Sequence, residues 1–298
     1  MNSSRVLMNE KHNEITSSSI SQSACLNENC IEWIQSIHPD ISKGVALVIH
    51  GLNLKPDKMD SIITLLTHFD IDVLRLSLSG HGKNYHRIAH INERNARMET
   101  FKSVSYDLWI RETSQAYDFA EKMSREKHVP LFLVGYSLGG LLGIDLLAAF
   151  SAAYFNRMVL LAPALCIHTP YYAVKFLLPF PKLVIPSLSS ASYRANFGTP
   201  VAAYHALFET IEHLRQNMIP KLNIPTIMII NPKDEFVPYA GLERIMKSRG
   251  FNQWELHLLK KIEKDAKKKL HHLIIDEATV GRNFWNKMKH LIIRHLLG

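Results

Sequence analysis

The chain has little of what marks a secreted, metal-stapled or membrane-spanning protein. It carries three cysteines in 298 residues, Cys25, Cys30 and Cys166. Three make no disulfide framework, and their spacing fits no metal-ligand pattern. A reducing, cytoplasmic location is the simplest expectation. The first thirty residues are rich in Ser, Asn and Glu and hold no continuous apolar stretch, so no secretory leader is expected. No run of about twenty apolar residues escapes charges or prolines, which argues against a spanning helix. A dinucleotide fingerprint is missing too, because Gly139-Gly140 with Gly143 lacks the leading Gly-x-Gly.

What is present is a basic chain with ample material for a core. Hydrophobic residues make up 47%, and 35 Lys and Arg against 27 Asp and Glu leave a net charge of +8. Such a balance favours acidic partners. No aromatic-basic motif accompanies it, so nucleic acid is not expected. Much of the excess sits in Lys260, Lys261, Lys264 and Lys267 to Lys269, which reads as a solvated face. Peripheral docking on an anionic membrane stays open, and the oligomeric state is not legible.

Residues 1–30 are polar and read as a flexible segment; 31–298 read as one domain. Short apolar runs at Val45–Ile49, Val73–Leu76, Leu131–Val134, Met158–Leu161, Ile227–Ile230 and Glu255–Leu259 are strand candidates. Helical stretches lie between them, near 57–69, 105–127, 138–150, 200–217, 240–248 and 278–297. This alternation implies an α/β fold: a mostly parallel central sheet with helices on both faces. No strand hairpin is evident before Gly44, and 83–104 reads as a polar break. The stretch 166–199 is apolar and aromatic, but its prolines forbid a long regular helix. A cap over the strand ends is therefore expected at about 166–220. Tyr171, Tyr172, Phe176, Leu178, Phe180, Val184 and Ile185 are its candidate pocket-lining or membrane-facing residues.

The chemistry centres on Gly135-Tyr136-Ser137-Leu138-Gly139, a G-x-S-x-G pattern between an apolar run and a helical one. A sharp strand-to-helix turn there would expose the serine hydroxyl. That hydroxyl needs a base, and the base needs an acid to fix its tautomer. His271 and His272 follow the last strand candidate, and either can serve. Asp234 lies in Asn231-Pro232-Lys233-Asp234-Glu235-Phe236, just past a buried strand, with Glu235 and Asp276 as fallbacks. The amide of Leu138 and that of Leu52, after the small Gly51, are the candidate oxyanion donors. His50 reads as a brace for that turn. His86 and His90 have a zinc-like i, i+4 spacing, but Arg87 stands where the catalytic glutamate would, so no metal is expected.

Taken together, His50-Gly51, Gly80-His81-Gly82, Gly135 to Gly140, Asp234 and the His272 region resemble the α/β-hydrolase superfamily. The resemblance runs from about Gly44 to Leu297 and points to the branch of monoacylglycerol lipases, lysophospholipases and small carboxylesterases. It selects His272 over His271, because Leu273-Ile274-Ile275-Asp276 follows it. The chain departs from the pattern at Arg75-Leu76-Ser77-Leu78-Ser79, where many relatives have an acidic residue. The implied activity is cleavage of carboxylic esters with lipophilic acyl chains by a Ser137-Asp234-His272 triad, through an acyl-enzyme and without a cofactor. A thioesterase, peptidase, acyltransferase or non-catalytic receptor on the same scaffold are the alternatives.

Overall fold

The structure, a computed structural model, describes residues 30–259 and 270–298. The polar segment 1–29, with Cys25, and the lysine run at 260–269 lie outside the described residues.

The strands are β1 (Ile31–Ile34), β2 (Gly44–Ile49), β3 (Ile71–Leu76), β4 (Leu131–Tyr136), β5 (Arg157–Leu161), β6 (Val184–Pro186), β7 (Gly198–Pro200), β8 (Thr226–Ile230) and β9 (Trp254–Leu258). The α-helices are α1 (Asp60–His68), α2 (Glu93–Phe101), α3 (Tyr106–Lys127), α4 (Leu138–Ala149), α5 (Val201–Gln216), α6 (Tyr239–Arg249), α7 (Glu277–Val280) and α8 (Arg282–Leu297). Seven strands form one sheet in the order β1-β3-β2-β4-β5-β8-β9. All neighbours pair in parallel except β1, which runs antiparallel to β3. Every residue of β2, β4 and β8 is buried, as expected for strands covered on both faces. This is the α/β-hydrolase fold.

Strand order reverses between β2 and β4. From β2 the chain moves to β3 on one side, then crosses to β4 on the other. In open α/β sheets ligands bind outside the carboxyl ends of the strands at such a switch point. Ser137 follows β4 and the His50-Gly51 turn follows β2, so both predicted motifs sit there.

Local differences from the sequence reading have local causes. β1 exists although no hairpin was expected; Ile31-Glu32-Trp33-Ile34 is four residues long and borrows its register from β3. The polar stretch 83–104 contains α2, whose start is fixed when the Asn92 side chain accepts the Asn95 amide. The last helix is split at Gly281, which adopts φ +84°. Asp276 caps the short first piece reciprocally with Thr279.

Helix α4 is apolar nearly all round and buried through Leu147. Its one carboxylate, Asp145, would be costly to bury alone. It accepts from Tyr106 Oη at 2.9 Å and pairs with His213 Nδ1 at 2.6 Å, which ties α3 and α5 to the helix behind Ser137. No helix among the described residues is long and apolar enough to cross a membrane.

Between β5 and β8 the chain leaves the sheet. A 3-10 segment, Thr169–Leu177, begins at Pro170, and β6 and β7 then pair antiparallel before α5. This excursion is stitched to the turn after β2. Asn53 Nδ2 donates to the carbonyls of Asn196 and Gly198, and the Asn196 amide donates back to Asn53 Oδ1 at 2.8 Å.

Candidate active site

The serine sits on a strained turn. Ser137 has φ 51° and ψ −113°, a conformation that costs of order 1–3 kcal/mol and must be held from outside. Its amide donates to the Leu161 carbonyl at 2.9 Å, and its carbonyl accepts from Leu141 and Ala164. Two glycines make the turn geometrically possible. A Cβ on Gly139 would stand 2.2 Å from the Ile49 carbonyl oxygen, and one on Gly135 would stand 2.5 Å from Gly140 Cα. Both obstacles are backbone, so neither can swing aside.

Three distant side chains meet at this turn. His272 Nε2 lies 2.9 Å from Ser137 Oγ, and His272 Nδ1 lies 2.8 Å from Asp234 Oδ2. All three residues are buried, with Ser137 8% exposed at the floor of a cavity. The other Asp234 oxygen accepts the amides of Phe236 and Val237, each at 2.8 Å. Burial pushes the Asp234 carboxyl up. The His272 ring and the two amides outweigh it, so the group is held below the ordinary carboxylate range. An ionised Asp234 leaves Nδ1–H as the stable tautomer of His272, with the Nε2 lone pair facing the serine. The edge of the Phe236 ring packs on the imidazole at 5.1 Å, and Tyr136 Oη donates to the His272 carbonyl at 3.3 Å.

The two donor candidates fall where the sequence places them in the chain, at the start of α4 and in the turn after β2. Among the described residues, neither the Leu138 nor the Leu52 amide donates to another protein group. The turn that carries Leu52 is braced by two buried imidazoles. His50 Nε2 accepts the Leu78 amide at 3.1 Å, and its Nδ1 side meets the Gly51 carbonyl at 2.8 Å. His81 Nε2 accepts the Asn53 amide at 2.9 Å. Each acceptor nitrogen needs its lone pair, so both rings must be neutral. Burial agrees: it lowers His50 to about 4, and burial together with the neighbouring His50 drives His81 well below its ordinary value. Although 75–79 lacks an acidic residue, a carboxylate does reach the turn. Glu112 of α3 accepts the Ser79 amide at 2.9 Å and Asn84 Nδ2 at 3.0 Å.

Asp276, a fallback acid, is spent on capping α7 and on accepting Tyr193 Oη. His271 turns away from Ser137 to meet Glu235 Oε1 at 2.9 Å.

The cavity beside Ser137 has a volume of about 280 Å³ and a mostly apolar wall. A larger depression of about 540 Å³ lies beside β1 and is lined by Glu32, Arg75 and Arg97; it does not reach Ser137. The smaller cavity is the one that touches the reactive side chains. Of the seven cap residues singled out in the sequence, Tyr171 and Ile185 line it. Tyr172 does not, because its ring stacks on Phe208 at 5.5 Å. Leu178 and Val184 are half-buried elsewhere in the cap, and Phe176 and Phe180 face outward, 85% and 64% exposed. Aromatic content in a proline-broken segment does not say which way each ring points. Tyr204 and Leu207 also line the cavity from α5, and Phe236 lines it beside Asp234. The sequence reading missed all three. Phe236 carried a usable signal, its place two residues after the candidate acid; Tyr204 and Leu207 sit on an ordinary amphipathic helix and carried none.

The fold is that of an α/β-hydrolase. Comparison with known proteins places the chain in a family: it belongs to the Hydrolase_4 family, described as serine aminopeptidase S33, whose model matches residues 40–197. Monoglyceride lipase of Mus musculus is 28% identical over 134 residues, which are 45% of this chain and 38% of that protein. The match thus spans well under half of the relative's length. Among solved structures, a soluble variant of monoglyceride lipase from Saccharomyces cerevisiae superposes with a TM-score of 0.69 at 14% identity, covering 89% of this chain and 91% of that one. Monoacylglycerol lipase of Paleococcus ferrophilus gives 0.63 at 16% identity, covering 90% and 99%. At such identities these structures speak for the fold.

Proposed function

We propose that the protein hydrolyses carboxylic esters with lipophilic acyl chains, monoacylglycerol, lysophospholipid and simple carboxylesters being the substrate classes in view. The carrying observation is the Asp234–His272–Ser137 chain of contacts at 2.8 and 2.9 Å, opening into an apolar cavity. In this scheme Ser137 Oγ attacks the ester carbonyl carbon while His272 Nε2 takes its proton. Asp234 orients the ring and stabilises the imidazolium. The amides of Leu52 and Leu138 hold the oxyanion. His272 then gives the proton to the leaving alcohol, and water, activated by the same ring, releases the acid from the acyl-enzyme.

The family's description raises an aminopeptidase as a second reading. Recognition of a free α-ammonium calls for an acceptor, usually a carboxylate, beside the scissile bond. Among the described residues, those lining the cavity include no Asp or Glu. The ester reading is therefore favoured. We expect kcat/KM on p-nitrophenyl esters to rise with acyl length, monoacylglycerol or lysophospholipid to be cleaved, and a matched aminoacyl amide to be nearly inert. Preference for the amide would overturn the reading, and preference for a matched acyl thioester would redirect it.

Peripheral contact with an anionic membrane belongs to the same proposal, as does a cytoplasmic location. Phe176, Phe180 and Leu188 project from the cap at 85, 64 and 69% exposure, and Lys175 and Lys182 are exposed among them. Such a face suits a surface with an apolar interior and negative headgroups. Vesicles containing anionic lipid should bind the protein more tightly than neutral ones, and salt should weaken the binding. Equal binding to both would remove this part.

A further inference from the structure

We propose that Glu235 is a positioning residue for His272: its carboxylate grips the backbone of the histidine loop and so keeps the imidazole between Asp234 and Ser137. This rests on the hydrolase function proposed above. The loop needs such a grip. Residues 270–276 lie between β9 and α7 in neither helix nor strand. Among the described residues no strand ladder includes them, yet His272 must hold two contacts below 3 Å at once.

Glu235 supplies what the ladder does not. Its Oε2 accepts the His272 amide at 2.9 Å, and its Oε1 accepts the His271 amide and His271 Nδ1, each at 2.9 Å. Two consecutive backbone N–H groups thus end on one carboxylate, the charge-assisted kind of bond. Burial raises the Glu235 carboxyl, but the two amides and the His271 ring overcome it and hold it below the ordinary range. It is therefore ionised wherever the enzyme would work. Neighbouring acids in one turn do different jobs on neighbouring histidines in another. Asp234 takes the ring of His272, and Glu235 takes the main chain that carries the ring.

Glu235→Gln tests this. The amide keeps the shape, but its one oxygen serves one N–H while its NH2 faces the other. The whole chain is used, with labelling by a fluorophosphonate and ester turnover measured across about pH 5–9. We expect kcat to fall about 10- to 100-fold, as for a small misplacement of a catalytic group. KM should stay within about threefold. The melting temperature should stay within a few degrees. His271→Ala, which removes a ring contact and leaves both amide bonds, should cost at most about threefold. Unchanged kcat in E235Q would overturn the inference. So would a loss in which KM rises as much as kcat falls or the melting temperature drops in step, which would make Glu235 scaffold, or a His271→Ala loss as large as that of E235Q. Failure of the hydrolase reading itself would appear elsewhere, as a parent protein that the probe does not label.

Discussion

Ser137→Ala should lower ester turnover by roughly 10⁴-fold or more and abolish labelling by a fluorophosphonate, while the protein still folds. The size follows from what the substitution removes and what it leaves. Alanine at 137 deletes the one atom in contact with His272 Nε2, so no covalent acyl intermediate can form. The unbonded amides of Leu52 and Leu138 and the apolar cavity remain, so any residual rate reports on them alone. The strained backbone at 137 is held by bonds of its own amide and carbonyl to Leu161, Leu141 and Ala164, which alanine keeps. Folding should therefore be close to that of the parent, and a thermal melt checks it. Peptide mapping of the labelled parent should find the adduct on Ser137. A label on any other serine, or turnover within tenfold of the parent after the substitution, would refute its role as nucleophile.

Much of this site was legible before any coordinates, and the reasons are local. G-x-S-x-G is readable because the turn at Ser137 excludes a Cβ at Gly135 and Gly139, and such exclusion leaves glycines in the sequence. The core strands were legible because burial on both faces leaves runs such as Val45–Ile49 with no polar residue. Information carried between distant residues was not. Asn53 and Asn196 lock the segment before α5 to the turn after β2 across 143 positions, and neither residue type announces a partner. Glu235 was visible as an acid near Asp234, but its hold on two backbone amides depends on where a loop some 36 residues later returns. Ring directions in the cap failed for a related reason. Phe176 and Tyr171 look alike in sequence, and packing against Phe236 separates the half-buried ring from the exposed one.

Asp234→Asn should cost roughly 10⁴-fold in kcat, although it changes one oxygen to one nitrogen. The direction is set by the far side of the carboxylate. Asp234 Oδ1 accepts the amides of Phe236 and Val237, and these two donors will keep the oxygen of an asparagine for themselves. The new NH2 group is then forced toward His272 Nδ1, where Oδ2 now sits at 2.8 Å. A donor there requires Nδ1 to be the acceptor, so the ring proton moves to Nε2. Nε2–H points at Ser137 Oγ and cannot take its proton. Ser137, the cavity and the amides of Leu52 and Leu138 are untouched, so KM should change little while kcat collapses. Fluorophosphonate labelling should slow in parallel, because it uses the same base. The loss should ease at high pH, where hydroxide can replace the missing base. A variant with nearly parental kcat at neutral pH would mean that Asp234 does not set the tautomer, and the acid would have to be sought elsewhere. Equal losses in Asp234→Asn and Asp234→Ala, with unchanged melting temperatures, would count against the tautomer account and point to loss of the carboxylate charge. A much milder Asp234→Ala is what the tautomer account expects, since alanine imposes no donor on Nδ1.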